Sequence, residues 1–125
     1  MFEERERGMK DSTRAFMAII AIALRNNINL SSILDYSLYK RWDIHVILSG
    51  EHISAHYYDD GTQITGSLNS GLYDYRSGQN IRIQRNGSNF TGYLNVGGTS
   101  FSIKVNGRKC TLYENETGKS YQYSA

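Results

Sequence analysis

The residues whose types best suit chemistry lie in one short stretch, which holds all three histidines of the chain, His45, His52 and His56. A tight turn at Ser49-Gly50 would set Asp43 opposite His56 on paired antiparallel strands, with His45 on the same outer face. Two imidazoles and a carboxylate can hold a divalent metal, and a histidine oriented by a carboxylate can act as a general base. His45, His56 and Asp43 are therefore a candidate metal or catalytic site, although a solvated polar face explains the same residues.

Tyrosine is abundant, with ten copies in 125 residues, and five copies are predicted to point outward from one sheet. Arg82 and Lys104 are predicted to point outward on the strands between them. Aromatic rings flanked by cations can stack on sugar rings or on bases, so this face is a candidate ligand-binding surface. Tyrosine also suits a half-exposed sheet through packing alone, which leaves a purely structural role open. The five residues are Tyr58, Tyr73, Tyr75, Tyr93 and Tyr113.

The other reactive side chains indicate structure rather than a reaction. Cys110 is the only cysteine, so an intrachain disulfide and an all-cysteine zinc site are excluded, and we predict a buried thiol. Asp74 and Glu114 are predicted to point inward, with Glu114 opposite Tyr121 and hydrogen-bonded to its phenol. No glycine-rich loop leads into a helix in the way that nucleotide binding requires. The sequence therefore predicts no cofactor.

Recurring glycines predict the element that positions these side chains, an antiparallel meander over residues 42–124. Most of these glycines are second in a dipeptide suited to a tight hairpin turn. Eight turns would separate nine strands, and each connection is too short for anything but an antiparallel neighbour. The glycines are at positions 50, 61, 71, 78, 87, 98, 107 and 118.

Part of this meander is an internal repeat of 20 residues, each copy one hairpin. Residues 72–91, 92–111 and 112–125 align so that Tyr73, Tyr93 and Tyr113 are equivalent. One hairpin cannot bury its apolar face alone, so neighbouring copies must complete the core.

Two-residue turns predict a register that gathers the apolar residues on one inner face. They pair Val46 with Ile53, and a three-residue loop at 69–71 keeps Leu68 and Leu72 on that face. The other predicted pairs are Ile44–Ala55, Tyr57–Ile64, Ile83–Phe90, Ile81–Gly92, Leu94–Phe101, Ile103–Cys110, Phe101–Leu112 and Leu112–Tyr123.

The segment before the sheet is predicted to be helical over residues 13–40, after a charged arm at residues 1–12. Residues 15–24 are all apolar, and Asn26-Asn27 suits a helix end. A second helix is predicted at residues 31–40, where Ile33, Leu34 and Leu38 share one face. The predicted fold is a single, mainly β domain in which one or two N-terminal helices pack on a strongly curled sheet or barrel.

The first helix is apolar on two faces, so its second face needs a cover of its own. The far wall of a closed barrel could supply it, and so could the helix of a second copy in a homo-oligomer. Ten apolar residues are too few to span a bilayer, so stable membrane insertion is not expected. A cytoplasmic protein is predicted, with export or membrane association through residues 15–24 as the alternative.

The sequence leaves three function classes open. A net charge of +2 does not indicate nucleic acid. The first class is a non-catalytic structural or protein-interaction module, because no coherent catalytic set is present. The second is a binding domain for a glycan or a small apolar ligand, which would use the tyrosine face or a barrel interior. The third is a small enzyme or metal-binding protein that uses the histidine cluster.

Overall fold

The computed structural model describes residues 9–95 and 97–125, which form one helix and a single antiparallel sheet. The predicted mainly β class is confirmed. In chain order the elements are α1 (Asp11–Asn26), β1 (Ile33–Asp35), β2 (Lys40–Trp42), β3 (Ile44–Ser49), β4 (His52–Tyr57), β5 (Thr62–Ser67), β6 (Gly71–Asp74), β7 (Gln79–Asn86), β8 (Asn89–Leu94), β9 (Thr99–Asn106), β10 (Lys109–Glu114) and β11 (Lys119–Ser124).

The strands β3 to β11 pair strictly in chain order, which confirms the predicted nine-stranded meander. After β11 the sheet continues into β1 and then β2. The two ends of the sheet meet where Leu30, just before β1, and Val46 of β3 exchange backbone hydrogen bonds of 3.1 and 2.7 Å. The sheet is therefore nearly closed into a barrel, which leaves little free strand edge.

The helix α1 lies inside this barrel, in contact with β3 and β4 on one side and with β9 and β10 on the other. Every residue from Thr13 to Ala23 is buried. A helix that is apolar on all sides must be covered all round, and here the far wall of its own sheet covers the second face. No apolar face of α1 is left exposed for a second copy over these residues. Among the described helices, none is long and apolar enough to cross a membrane.

The C-terminal end of α1 is defined by a residue that the sequence singles out, whereas Lys10 at its start makes no capping hydrogen bond with its side chain. Asn27 has the left-handed conformation with φ 54°, and its N–H donates to the Leu24 carbonyl, which confirms the predicted end at Asn26-Asn27. At the start, Met9 is buried and the helix begins at Asp11. Residues 1–8 of the predicted arm 1–12 lie outside the described residues.

The predicted second helix at residues 31–40 is wrong, because this segment forms β1, a four-residue turn and the start of β2. The Asp35 carboxylate holds the turn, since its Oδ1 accepts hydrogen bonds from the N–H groups of Ser37 at 3.0 Å and Leu38 at 3.3 Å. Tyr39 ends the turn with φ 50°, a conformation that glycine adopts in the equivalent turns. The missing glycine removed the turn signal from the sequence.

At one end of the barrel, the two-residue turns begin one residue later than predicted, at Gly50-Glu51, Gly87-Ser88 and Gly107-Arg108. In each dipeptide only the glycine has a positive φ, so it takes the first central position, as in a type II′ turn. The strand register then shifts by two residues, which keeps every side chain on its predicted face. The observed pairs are Ile44–Tyr57, Val46–Ala55, Ile81–Leu94, Ile83–Gly92, Phe101–Glu114 and Ile103–Leu112.

At the other end the turns contain four residues rather than two, at positions 36–39, 58–61, 75–78, 95–98 and 115–118. Val96 within the fourth turn lies outside the described residues. With the longer turns, Ile64 pairs with Ala55 instead of Tyr57. Phe101 pairs with Gly92 instead of Leu94, and Tyr123 pairs with Cys110 instead of Leu112. Gly92 fits this register because a β-carbon there would clash with the ring of Phe101.

The predicted three-residue loop exists, but it consists of residues 68–70 rather than 69–71. Leu72 consequently pairs with Gly66 instead of Leu68, and Leu68 packs at the edge of the core as a half-buried loop residue. Every member of the predicted inner face is buried or half-buried. The face assignment therefore holds although none of the predicted pairs is observed.

Candidate ligand-binding surface

The histidine cluster is packed by a tyrosine and does not assemble the predicted site. The register shift sets His45, rather than Asp43, directly opposite His56. The Tyr58 ring stacks on His56 with centroids 4.1 Å apart and meets His45 edge-on at 5.0 Å. Within residues 9–95 and 97–125, no group of three histidine, cysteine, aspartate or glutamate residues could hold a metal ion.

Three buried carboxylates, those of Asp35, Asp74 and Glu114, are each bound by the chain's own turns or helix. Asp74 accepts hydrogen bonds from the N–H groups of Arg76 and Ser77. Asp35 holds its turn in the same way and also accepts from Trp42 Nε1 at 3.1 Å. These bonds explain why carboxylates recur just before the four-residue turns, where they satisfy backbone donors. Such groups are structural acceptors rather than free general bases.

The Glu114 carboxylate anchors α1 within the barrel. It is fully buried, and its Oε1 accepts a 2.7 Å hydrogen bond from Arg14 Nη1 and a 3.3 Å bond from the Met9 N–H. The predicted Glu114–Tyr121 hydrogen bond is replaced by this ion pair, and the Arg14 guanidinium lies 4.0 Å from the Tyr121 ring centroid. Burial alone would lower the pKa of Arg14, but the Glu114 hydrogen bond helps to raise it above its ordinary value. The Arg14 guanidinium therefore stays charged.

The five predicted surface tyrosines are all exposed, but they do not form one continuous row. Tyr58 packs on the histidines of β3 and β4, and Tyr75 meets Tyr73 edge-on at 4.8 Å. Tyr93 and Tyr113 are each 40% exposed, and no other aromatic ring of the described residues packs on either one. The ring faces best placed for a ligand are therefore on β8 and β10.

The repeated tyrosines also have a structural role, which explains their 20-residue spacing. Each ring reaches toward the glycine that ends the following four-residue turn. A β-carbon built on Gly98 would lie 3.4 Å from the Tyr93 hydroxyl oxygen, and one on Gly118 would lie 3.9 Å from that of Tyr113. Tyr73 and Gly78 repeat the arrangement at 3.7 Å. The rings are thus held against the sheet, and part of each stays accessible.

The outward side chains of β7 to β11 form a surface that we call the polar wall. All of them carry an amide, a hydroxyl, an ammonium or a guanidinium group, and none is a carboxylate or an aliphatic side chain. The wall includes both predicted cations, Arg82 and Lys104, which are exposed. Its members are Asn80, Arg82, Gln84, Asn86, Asn89, Thr91, Tyr93, Ser100, Ser102, Lys104, Asn106, Lys109, Thr111, Tyr113, Ser120, Gln122 and Ser124.

Charge is segregated between the two halves of the meander. Residues 42–75, which include β3 to β6, carry five carboxylates and no lysine or arginine, for a net charge of −5. Residues 76–125, which include β7 to β11, carry seven lysines and arginines and two carboxylates, for a net charge of +5. One of those two carboxylates, Glu114, is buried. The overall charge of +2 conceals this difference.

Tyr93 and Tyr113 flank a shallow floor made by small side chains of β9. Tyr93 pairs with Ser100 and Tyr113 pairs with Ser102. The two tyrosines therefore lie two strands apart and are offset by two residues along the strand direction. Standard strand spacings place their α-carbons about 12 Å apart. This spacing suits a short oligosaccharide better than a single sugar.

A depression of about 470 Å³ lies beside this floor, toward β11 and the turn at residues 36–39. Lys104 and Lys109 line it on one side and Tyr36 on the other, with Thr111 and Gln122 between them. Tyr36 was absent from the predicted site because its segment was assigned to a helix. The equivalent positions Tyr75 and Tyr36, each following an aspartate at the start of a four-residue turn, could have revealed it.

The barrel interior is occupied by α1, so it does not offer the ligand cavity that the sequence left open. Cys110 points inward as predicted, and burial raises the pKa of its thiol to about 12. The thiol is therefore protonated and unreactive at neutral pH. No family model matches this chain, and no curated protein or solved structure is significantly similar to it.

Proposed function

We propose that this protein is a non-catalytic binding module that holds a glycan across the polar wall. The observation that carries the proposal is the composition of the wall, in which exposed tyrosine rings stand among amide and hydroxyl groups. Sugar rings stack on aromatic faces through their C–H groups, and their hydroxyls need both donors and acceptors. Asparagine, glutamine, serine and threonine side chains supply both on the same surface.

The other function classes have less support from the described residues. A small apolar ligand would need the interior that α1 occupies. An enzyme would need a free acid or base, whereas the buried carboxylates are bound to turns and to Arg14. Histidines 45 and 56 pack against Tyr58 on an open face, where no cavity excludes water.

A protein-interaction role is a second candidate, favoured by the turn at residues 36–39. Leu38 is 44% exposed and Tyr39 is 91% exposed, and Tyr39 has a conformation that costs about 1–2 kcal/mol in a residue other than glycine. An exposed aromatic side chain at a strained backbone position is a feature of contact sites. This turn borders the polar wall, so a partner could contact both surfaces.

The test of the proposal is to titrate short, defined oligosaccharides into the protein and to measure binding by calorimetry and by tyrosine fluorescence. A double variant, Tyr93→Leu with Tyr113→Leu, keeps an apolar cover over the turn glycines and removes both aromatic faces. We expect its affinity for a bound oligosaccharide to fall about tenfold or more. Thermal unfolding of the variant checks that the barrel is intact.

The matched control is Tyr58→Leu with Tyr75→Leu, which removes two exposed tyrosines outside the polar wall. Its affinity is expected to equal that of the unsubstituted protein. Equal losses in the two double variants, or no binding of any oligosaccharide, would contradict the proposal.

A further inference from the structure

Resting on the proposed glycan-binding function, we infer that the depression between Tyr36 and Lys104 is a subsite for an anionic sugar residue, one that carries a carboxylate. The inference concerns the class of glycan and the place where its charge is bound. It depends on three observations: the continuity of the lining, its charge, and the fixed position of Tyr36.

Four of the residues that line the depression form one continuous row of outward side chains across neighbouring strands. Lys104 on β9 pairs with Thr111 on β10, and Thr111 pairs with Gln122 on β11. The Tyr36 N–H then donates to the Gln122 carbonyl at 3.0 Å, which adds the turn at residues 36–39 to the row. Three strand spacings of about 4.8 Å separate the first residue of the row from the last. The depression therefore has an ammonium group at one end and an aromatic ring at the other.

The charge of the lining is positive and uncompensated. Lys104 and Lys109 both line the depression, and no carboxylate does. Over residues 9–95 and 97–125, the ion pairs are Arg14 with Asp11 and Arg14 with Glu114, so neither lysine is paired there. An unpaired ammonium group beside hydroxyl and amide groups matches a sugar that carries one acidic group.

The Tyr36 ring is held in place as a wall of the depression. Its hydroxyl makes a 3.0 Å hydrogen bond with Ser124 Oγ, and 43% of the residue stays exposed. A ring fixed at both ends loses little conformational freedom when a sugar packs against it.

A glycan fits the depression better than a nucleic acid does. A nucleic acid carries one phosphate per nucleotide, whereas the polar wall itself contains only three cations, Arg82, Lys104 and Lys109. The remaining side chains of the wall are neutral hydrogen-bonding groups, which suit a ligand rich in hydroxyls. The negative charge of residues 42–75 also confines an anionic ligand to the opposite half of the barrel.

The experiment compares oligogalacturonate, oligoglucuronate and oligomannuronate with their methyl esters, which keep the sugar ring and the linkage but remove the charge. We expect at least one acid to bind about tenfold more tightly than its ester, with an affinity that falls as salt is raised. In Lys104→Gln this preference is expected to disappear. The matched control, Lys119→Gln, removes one exposed lysine outside the depression and is expected to retain it.

The other outcomes separate the two proposals. Equal binding of every acid and its ester would overturn the anionic subsite and leave the glycan surface in place. No binding of any oligosaccharide, neutral ones included, would overturn the proposed function itself. Binding of oligothymidylate at least as tight as that of the best acid would assign the surface to nucleic acid. A dimer in sedimentation that Lys104→Gln dissociates would assign it to the acidic half of a second copy. Either of the last two results overturns the inference.

Discussion

Along β10, Cys110, Leu112 and Glu114 point into the barrel, whereas Lys109, Thr111 and Tyr113 point to solvent. The inner residues are enclosed by α1 and by neighbouring strands, and each polar group among them has a specific role in packing or anchoring. The outer residues contact little and offer donors, acceptors and ring faces. The difference shows that each of the strands β7 to β11 presents two distinct sets of side chains, because alternate side chains face opposite environments. Substitutions on the inner face should change stability, and those on the outer face should change binding.

The largest expected effect is on the inner face, at Glu114. Replacing it with alanine leaves the Arg14 guanidinium without its buried carboxylate partner, so that only the half-exposed Asp11 still pairs with it, and removes an acceptor from the Met9 N–H. We expect Glu114→Ala to lower the free energy of unfolding by about 3–5 kcal/mol, measured by urea denaturation.

Glu116→Ala is the control, because Glu116 is exposed two residues further along the chain. Its effect is expected to stay within about 0.5 kcal/mol. Similar losses in the two variants would show that the Arg14–Glu114 pair does not anchor α1.

The second prediction concerns the Cys110 thiol, whose pKa burial raises to about 12. The pKa of the thiol is higher in the folded protein than in the unfolded chain, so folding disfavours the thiolate. The stabilisation that comes from burying the neutral thiol is therefore complete below about pH 9 and is lost as the pH rises toward 12. At pH 8 the folded protein should react with a thiol reagent at least about a hundredfold more slowly than the protein unfolded in urea.

The matched control places a cysteine on the outer face in a Cys110→Ala, Thr111→Cys variant. This thiol should react at nearly the unfolded rate. Rapid modification of Cys110 in the native protein would mean that the inner face is open to solvent.

A smaller effect is expected at Gly92, where the inner face has no side chain. Alanine there would bring a β-carbon against the Phe101 ring, and Phe101 is itself 1% exposed and cannot move outward. We expect Gly92→Ala to destabilise the fold by about 1–3 kcal/mol, and Phe101→Leu to restore part of the loss in the double variant.

Thr91→Ala, one residue away on the outer face, is the control for Gly92→Ala and should be nearly neutral in urea denaturation. A neutral Gly92→Ala would contradict the observed Gly92–Phe101 pairing. It would favour the Leu94–Phe101 pairing that a two-residue turn predicts.

The sequence was sufficient for strands β3 to β11 and their faces, but not for β1 and β2 or for the register. The glycine spacing indicates where the chain reverses, and a shift of two residues leaves Ile83, Ile103 and Leu112 on the inner face. A dipeptide such as Asn106-Gly107 does not reveal whether both residues or only the glycine lies at the turn centre. That choice depends on pairing across the whole sheet, which local sequence does not contain.

The candidate surface was predictable in part. Tyr93, Tyr113, Arg82 and Lys104 were identified because alternation alone assigns them outward. The sequence did not identify Tyr36, because Tyr39 occupies the position that glycine occupies in the other four-residue turns. Without that glycine, the sequence gives no signal for the hairpin between β1 and β2. The charge segregation was overlooked since a net charge of +2 averages over both halves of the meander.

The most direct test of the account is to follow the backbone amide signals by NMR while a binding acidic oligosaccharide is added. The account predicts that the signals that shift belong to β8, β9, β10 and β11, with the largest changes near Tyr93, Lys104 and Thr111. Signals of β3, β4 and β5 should stay unchanged, because the acidic half of the barrel repels the ligand. Shifts confined to β3–β5, or the absence of shifts with every acidic and neutral oligosaccharide, would contradict the claim that the polar wall is a glycan-binding surface.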